Sequence, residues 1–149
     1  MQRGAVRRDP LARAFERLGA HRFGWIAEPL VEEPSFVLRP MFGCLACYLH
    51  GRLMLVLADR RPPWRGVLVP TAREAHPALL AEFPSLAVHP VLGKWLHLKE
   101  SDADFETIAG HLVELALAED ARLGVEPSTR VGRGRRRPAG RTRGKRASR

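Results

Sequence analysis

Between Cys44 and Asp59 the chain reads CLACYLHGRLMLVLAD, two apolar runs on either side of His50-Gly51. Glycine takes a positive φ without steric cost and histidine is enriched there, so the dipeptide predicts a two-residue hairpin turn. With that turn Tyr48 stands opposite Leu53, Cys47 opposite Met54 and Cys44 opposite Leu57. Period-two alternation then puts Leu45, Cys47, Leu49, Met54 and Val56 on one face, and Cys44, Ala46, Tyr48, Leu53, Leu55 and Leu57 on the other. Both faces are apolar. A sheet with one wet face alternates apolar and polar residues, so this hairpin must be covered on both sides. Helices can cover one face. The other needs a further helix, a long loop or a second subunit, and the last option predicts a homodimer with Leu53 and Leu55, or Leu45 and Val56, near the contact.

The same register decides how the CxxC spacing of Cys44 and Cys47 is read. Residues three apart on a strand point to opposite faces, with Cα atoms about 10 Å apart at roughly 3.3 Å per residue. A disulfide bridges no more than about 7 Å. Zinc-binding and redox CxxC pairs use a turn or a helix start to converge the sulfurs. The six histidines, at 21, 50, 76, 89, 97 and 111, show no paired spacing that would complete a metal site. The two cysteines are therefore expected to be buried thiols acting as small hydrophobes, with no metal and no cofactor.

Around the hairpin the chain alternates helix and strand signals. In DPLARAFERLGA, Asp9 is a candidate N-cap, Pro10 a first helical residue, Leu11, Phe15 and Leu18 an apolar stripe, and Gly19 a stop. Phe23, Trp25 and Ile26 are anchors in an irregular connection that Pro29 and Pro34 interrupt. SFVLR opens a strand that Pro40 ends or confines to an edge. ADRRPPWRG is a loop and VLVP a short strand. Thr71 and Glu74 form a capping box ahead of Leu79, Leu80 and Phe83, with Pro77 delaying the firm helix to about His76. LAVHPVLGKWLHLKES supplies one or two strands, with Leu96 and Leu98 inward and Trp95 and His97 on the opposite face. A second capping box, Ser101 to Asp104, opens a helix carrying Phe105, Ile108, Ala109, Leu112, Leu115 and Ala116. Gly124 and Pro127 close the domain. The order predicts an α+β fold, a mostly antiparallel sheet of four to six strands with three helices.

Arg39, Met41, Phe42, Gly43, Tyr48, Gly51 and Asp59, in RPMFG, YLHG and LAD, resemble the opening pattern of the N-terminal domain of the TfoX/Sxy competence-regulator family. The likeness spans roughly residues 10–125. It implies an α+β fold like that of secretion chaperones, a regulatory or binding role, and no established catalytic residues. No counterpart of that family's helical C-terminal domain is expected in these residues.

No G-x-S-x-G, P-loop, H-E-x-x-H or dinucleotide fingerprint occurs. Trp95 with His97 is the best candidate for a ligand face, which would suit a small enzyme or ligand-binding protein. The charge points elsewhere. The chain carries +9, yet Arg130, Arg133, Arg135, Arg136, Arg137, Arg141, Arg143, Lys145, Arg146 and Arg149 alone supply ten positive charges with no acid among them, leaving −1 for residues 1–129. With almost no apolar side chains, residues 128–149 are expected to be disordered and able to bind DNA or RNA phosphates non-specifically. Residues 1–8 read as a flexible start and 9–127 as the domain. No run approaches the roughly 18 apolar residues of a membrane span, and no signal-like apolar segment opens the chain, so a cytoplasmic protein without membrane contact is expected.

Overall fold

In a computed structural model the described residues are 10–127. Helix α1 (Pro10–Gly19) leads into a one-turn helix α2 (Gly24–Ala27) and a 3₁₀ turn at Glu28–Leu30. Strands β1 (Val37–Met41), β2 (Cys44–Leu49), β3 (Arg52–Asp59) and β4 (Arg65–Val69) follow as a meander. Then come α3 (His76–Glu82), β5 (Ala87–Val88), β6 (Leu96–Lys99) and α4 (Phe105–Leu117). The six strands form one antiparallel sheet in the order β1-β2-β3-β4-β6-β5. The expected α+β class is observed, with α2 as a fourth helix. Pro40 lies in β1, an edge strand, where a missing N–H costs no ladder bond to an outer neighbour.

His50 and Gly51 make the β2–β3 turn with φ of 50° and 77°, and Phe42 and Gly43 make the β1–β2 turn with φ of 53° and 77°. From the first turn the register begins as expected, Leu49 opposite Arg52 and Tyr48 opposite Leu53, and then shifts: Cys47 pairs with Leu55 and Leu45 with Leu57. The expected pairings of Cys47 with Met54 and of Cys44 with Leu57 are thus corrected by a bulge, one extra residue in β3. Met54, Leu55 and Leu57 all join the core on the helix side, while Leu53, Val56 and Ala58 join a smaller cluster behind the sheet. The face assignments of Leu55, Val56 and Leu57 are reversed relative to strict alternation, for that reason. Val125 pairs with Leu53 through two backbone hydrogen bonds beyond the end of β4, and Gly124, at φ 91°, fits against Met54. A chain segment docking there accommodates the bulged strand.

The helix-side core gathers Leu18, Phe23, Ile26 and Leu30 with Leu79, Phe83, Phe105, Ile108, Leu112 and the inward strand residues. Fully burying each such side chain is worth roughly 1.5–3 kcal/mol. Of the α1 stripe only Leu18 is buried; Leu11 and Phe15 are exposed, as is Trp25 of the expected anchors. Neither capping box forms. Thr71 is not an N-cap: its hydroxyl donates to the Arg122 carbonyl at 2.6 Å, and the following 3₁₀ turn (Arg73–Ala75) has no side-chain cap. At α4 the carboxylate of Asp102, not Ser101, accepts a backbone N–H, that of Asp104, at 2.8 Å.

Behind the sheet, Cys44, Ala46, Leu53, Val56, Ala58, Leu68 and Trp95 are buried, with Met41, Tyr48, Trp64, Leu92 and Val125 packed against them. Trp64 comes from the β3–β4 loop, Leu92 and Trp95 from the β5–β6 connection, and Val125 from the C-terminal segment. Loops of the same chain therefore cover this face. Of the residues expected near a dimer contact, Leu53, Leu55 and Val56 are buried within the chain and Leu45 is half-buried against the helix-side core, so the apolar argument for a second subunit is met internally. Among the described residues no helix is long and apolar enough to cross a membrane.

Candidate functional site

The ten basic residues Arg130 to Arg149 singled out for nucleic-acid binding lie outside the described residues, as do Asp9 and the expected disorder of 128–149. What surrounds them in sequence is described. Residues 10–127 hold fifteen Asp or Glu against twelve Lys or Arg, a net −3. The charges are segregated along the chain. Residues 100–126 contain eight acids and one base, Arg122, whereas residues 39–73 contain six arginines and one acid, Asp59.

Cys44 and Cys47 are free, buried and on opposite faces, one in each cluster. Burial in apolar surroundings pushes the Cys47 thiol up to about 12, and raises Cys44 as well. Among the described residues no three His, Cys, Asp or Glu side chains are grouped to hold a metal ion.

Trp95 and His97 do share a face, as alternation requires, but both are buried, 6% and 5% exposed. The Nε2 of His97 faces the Arg65 carbonyl at 2.9 Å, so that nitrogen carries the proton. Beside it lies His89, fully buried, which no spacing in the sequence had marked. The β5–β6 register brings them together: Ala87 stands opposite His97, and His89, two residues on, reaches it diagonally with ring centres 5.3 Å apart. The Nδ1 of His89 accepts the N–H groups of Val91 and Leu92 at 3.1 and 3.0 Å. Its Nε2 therefore donates, to the Pro63 carbonyl at 3.0 Å. One neutral tautomer thus ties the 60–64 loop to the 89–95 loop. Burial lowers the pKa of both rings, outweighing the carbonyls that favour the charged form. His21, half-buried with its Nδ1 accepting the Phe23 N–H, is lowered for the same reason despite Asp59 nearby.

The rings continue outward. His89 lies 4.6 Å from Trp64, and Trp64 lies 5.9 Å from Phe42, whose side chain is 52% exposed. Five of the seven resemblance residues lie toward this end of the sheet. Arg39 and Met41 are on β1, Phe42 and Gly43 form the turn, and Asp59 ends β3; Tyr48 and Gly51 lie toward the opposite turn. Gly43 and Gly51 each supply the positive φ of a turn.

Among the described residues, cavities lie elsewhere. A shallow polar one of about 540 Å³ is lined by Arg22, Glu100, Asp102 and Glu106, with Arg22 and Glu100 ion-paired. A more apolar groove of about 830 Å³ runs between α1 and β1. The third, about 300 Å³, lies by His50 and Glu119. None includes Trp95 or His97. Comparison of the chain with family models, curated proteins and solved structures yields no match.

Proposed function

We propose that this chain is a non-enzymatic regulatory or binding domain of the kind found at the N-terminus of TfoX/Sxy proteins, whose basic C-terminal segment binds nucleic acid without sequence preference. The observation that carries this reading is the separation of charge. Ten basic residues lie beyond residue 129, while the domain that precedes them is net acidic. Phosphate neutralisation by Arg and Lys supplies most of non-specific binding, and a segment of this charge density has enough cations for six to ten phosphate contacts. Arginine, which makes up nine of the ten, binds phosphate bidentately. The domain contributes a stable anchor and a regulatory surface.

A second class of function, catalysis or ligand binding on the face of Trp95 and His97, finds no support in the geometry, because both side chains are covered and the His97 Nε2–H is spent on a backbone carbonyl. Salt-dependent titration of duplex and single-stranded nucleic acid against the full chain tests the proposal.

A further inference from the structure

We infer that the Phe42–Gly43 turn, with Trp64 and the guanidinium groups of Arg39, Arg60 and Arg61, is a platform on which bases of single-stranded nucleic acid stack. This rests on the reading of the chain as a nucleic-acid binder and adds a second contact site, on the folded domain.

Four observations converge on it. Phe42 sits at φ 53°, in the left-handed region that bulky residues avoid, where glycine or asparagine would be unstrained. Its ring is nonetheless held out to solvent rather than buried. The ring is also held in place: it leans on Trp64, Trp64 on His89, and His89 is fixed by three hydrogen bonds. A preorganised aromatic surface loses little freedom on binding.

Three arginines come from the strand before the turn and from the β3–β4 loop. Arg60 crosses the turn and donates to the Phe42 carbonyl at 2.7 Å, in a space that a Cβ on Gly43 would crowd at 3.0 Å. Arg61 follows it in the same exposed loop. Arg39 stands opposite Ala46, on the sheet face that Trp64 covers. Among the described residues, Arg39, Arg60 and Arg61 make no ion pair. Asp59, the one acid nearby in sequence, is on the other side of the sheet, toward His21. An exposed aromatic with arginines nearby that no carboxylate neutralises is the chemistry of single-strand binding, in which stacking is sequence-tolerant and the cations follow the backbone. Duplex DNA hides its base faces and gains only the charge.

The test uses the full chain, an oligothymidylate of about 15 nucleotides and an abasic oligonucleotide of the same length, read by fluorescence anisotropy. The wild type should bind the base-bearing strand about tenfold or more tightly than the abasic one. Phe42→Gly should bring that ratio close to one without changing abasic affinity or its salt slope, and Phe42→Trp should restore it. Because Gly relieves the positive φ, the melting temperature of Phe42→Gly should not fall, which separates loss of stacking from loss of fold. A base-to-abasic ratio that is unchanged in Phe42→Gly, or already near one in the wild type, overturns the platform while salt-steep binding leaves the charge-driven reading standing. Equal affinity for polyglutamate overturns it in favour of an acidic protein partner. No binding to any strand at low salt overturns both.

Discussion

The imidazoles of His89 and His97 stand 5.3 Å apart, and each points an Nε2–H at a backbone carbonyl of the β3–β4 hairpin, Pro63 and Arg65 respectively. A proton on His89 would turn Nδ1 from acceptor to donor and set it against the N–H groups of Val91 and Leu92. It would also place a charge beside His97 in a buried site. Burial lowers the pKa of His89, His97 and His21 below the ordinary value of 6.5. The unfolded chain therefore binds more protons as pH falls below about 7, and stability rises with pH in that window. The stabilisation is complete above 6.5 and is lost as pH falls toward each folded-state value, by at most about 1.4 kcal/mol per pH unit for each histidine. Asp120 and Glu33, whose pKa values are also lowered, lose their contributions only in the more acidic carboxylate range. Urea midpoints should fall between pH 7.5 and 5.5, and His89→Gln should flatten that dependence. A pH-independent midpoint would show that the rings are solvated.

Cys47 is fully buried and its thiol is pushed up to about 12, so it should be inert to thiol reagents in the native state. Each Cys→Ala change should cost on the order of 1 kcal/mol through lost packing, with no change in zinc content. Stoichiometric zinc in the wild type that disappears in the double variant would contradict the buried-core reading.

The cysteine geometry shows how far the sequence could be read. Alternation alone separated the two sulfurs and placed Leu96 and Leu98 against Trp95 and His97, because period two is set by the backbone. It failed at Met54, where the bulge keeps two successive side chains on the helix side. That bulge is paired with Gly124 and Val125, some 70 residues away in sequence, and no local pattern announces it. The spacing of Thr71 and Glu74 predicts a cap, but a tertiary partner, the Arg122 carbonyl, takes the Thr71 hydroxyl instead. The aromatic and histidine cluster was not legible. His89 and Trp64 are brought together only by the pairing of β6 between β4 and β5.

That tertiary bond gives a direct check. Thr71→Val should destabilise by about 1–3 kcal/mol, since the Arg122 carbonyl loses its donor beside a buried side chain, whereas Thr71→Ser should recover most of the loss. An N-capping role would instead be rescued by Asp. Chemical denaturation of the three variants distinguishes the two.

Gly66 tests the packing of β4 on β6. It adopts φ 123°, and a Cβ there would lie 2.2 Å from the Leu98 carbonyl oxygen. Gly66→Ala should cost at least about 2 kcal/mol, read from the shift in urea midpoint. A neutral substitution would mean that the β4–β6 ladder is not as close as described.

Salt dependence of nucleic-acid affinity, measured on the full chain and on residues 1–129, tests the proposed function most directly. With six to ten charges of the C-terminal segment on phosphates, log K against log salt should have a slope of roughly −5 to −9 on duplex DNA, and the dissociation constant near physiological salt should be about 10⁻⁴ to 10⁻⁶ M. Removing residues 130–149 should leave the melting temperature unchanged and abolish most duplex affinity. Exchange of Arg for Lys across the segment should weaken binding modestly and keep the slope. Full-chain binding that is absent or insensitive to salt even at low ionic strength would contradict the proposal.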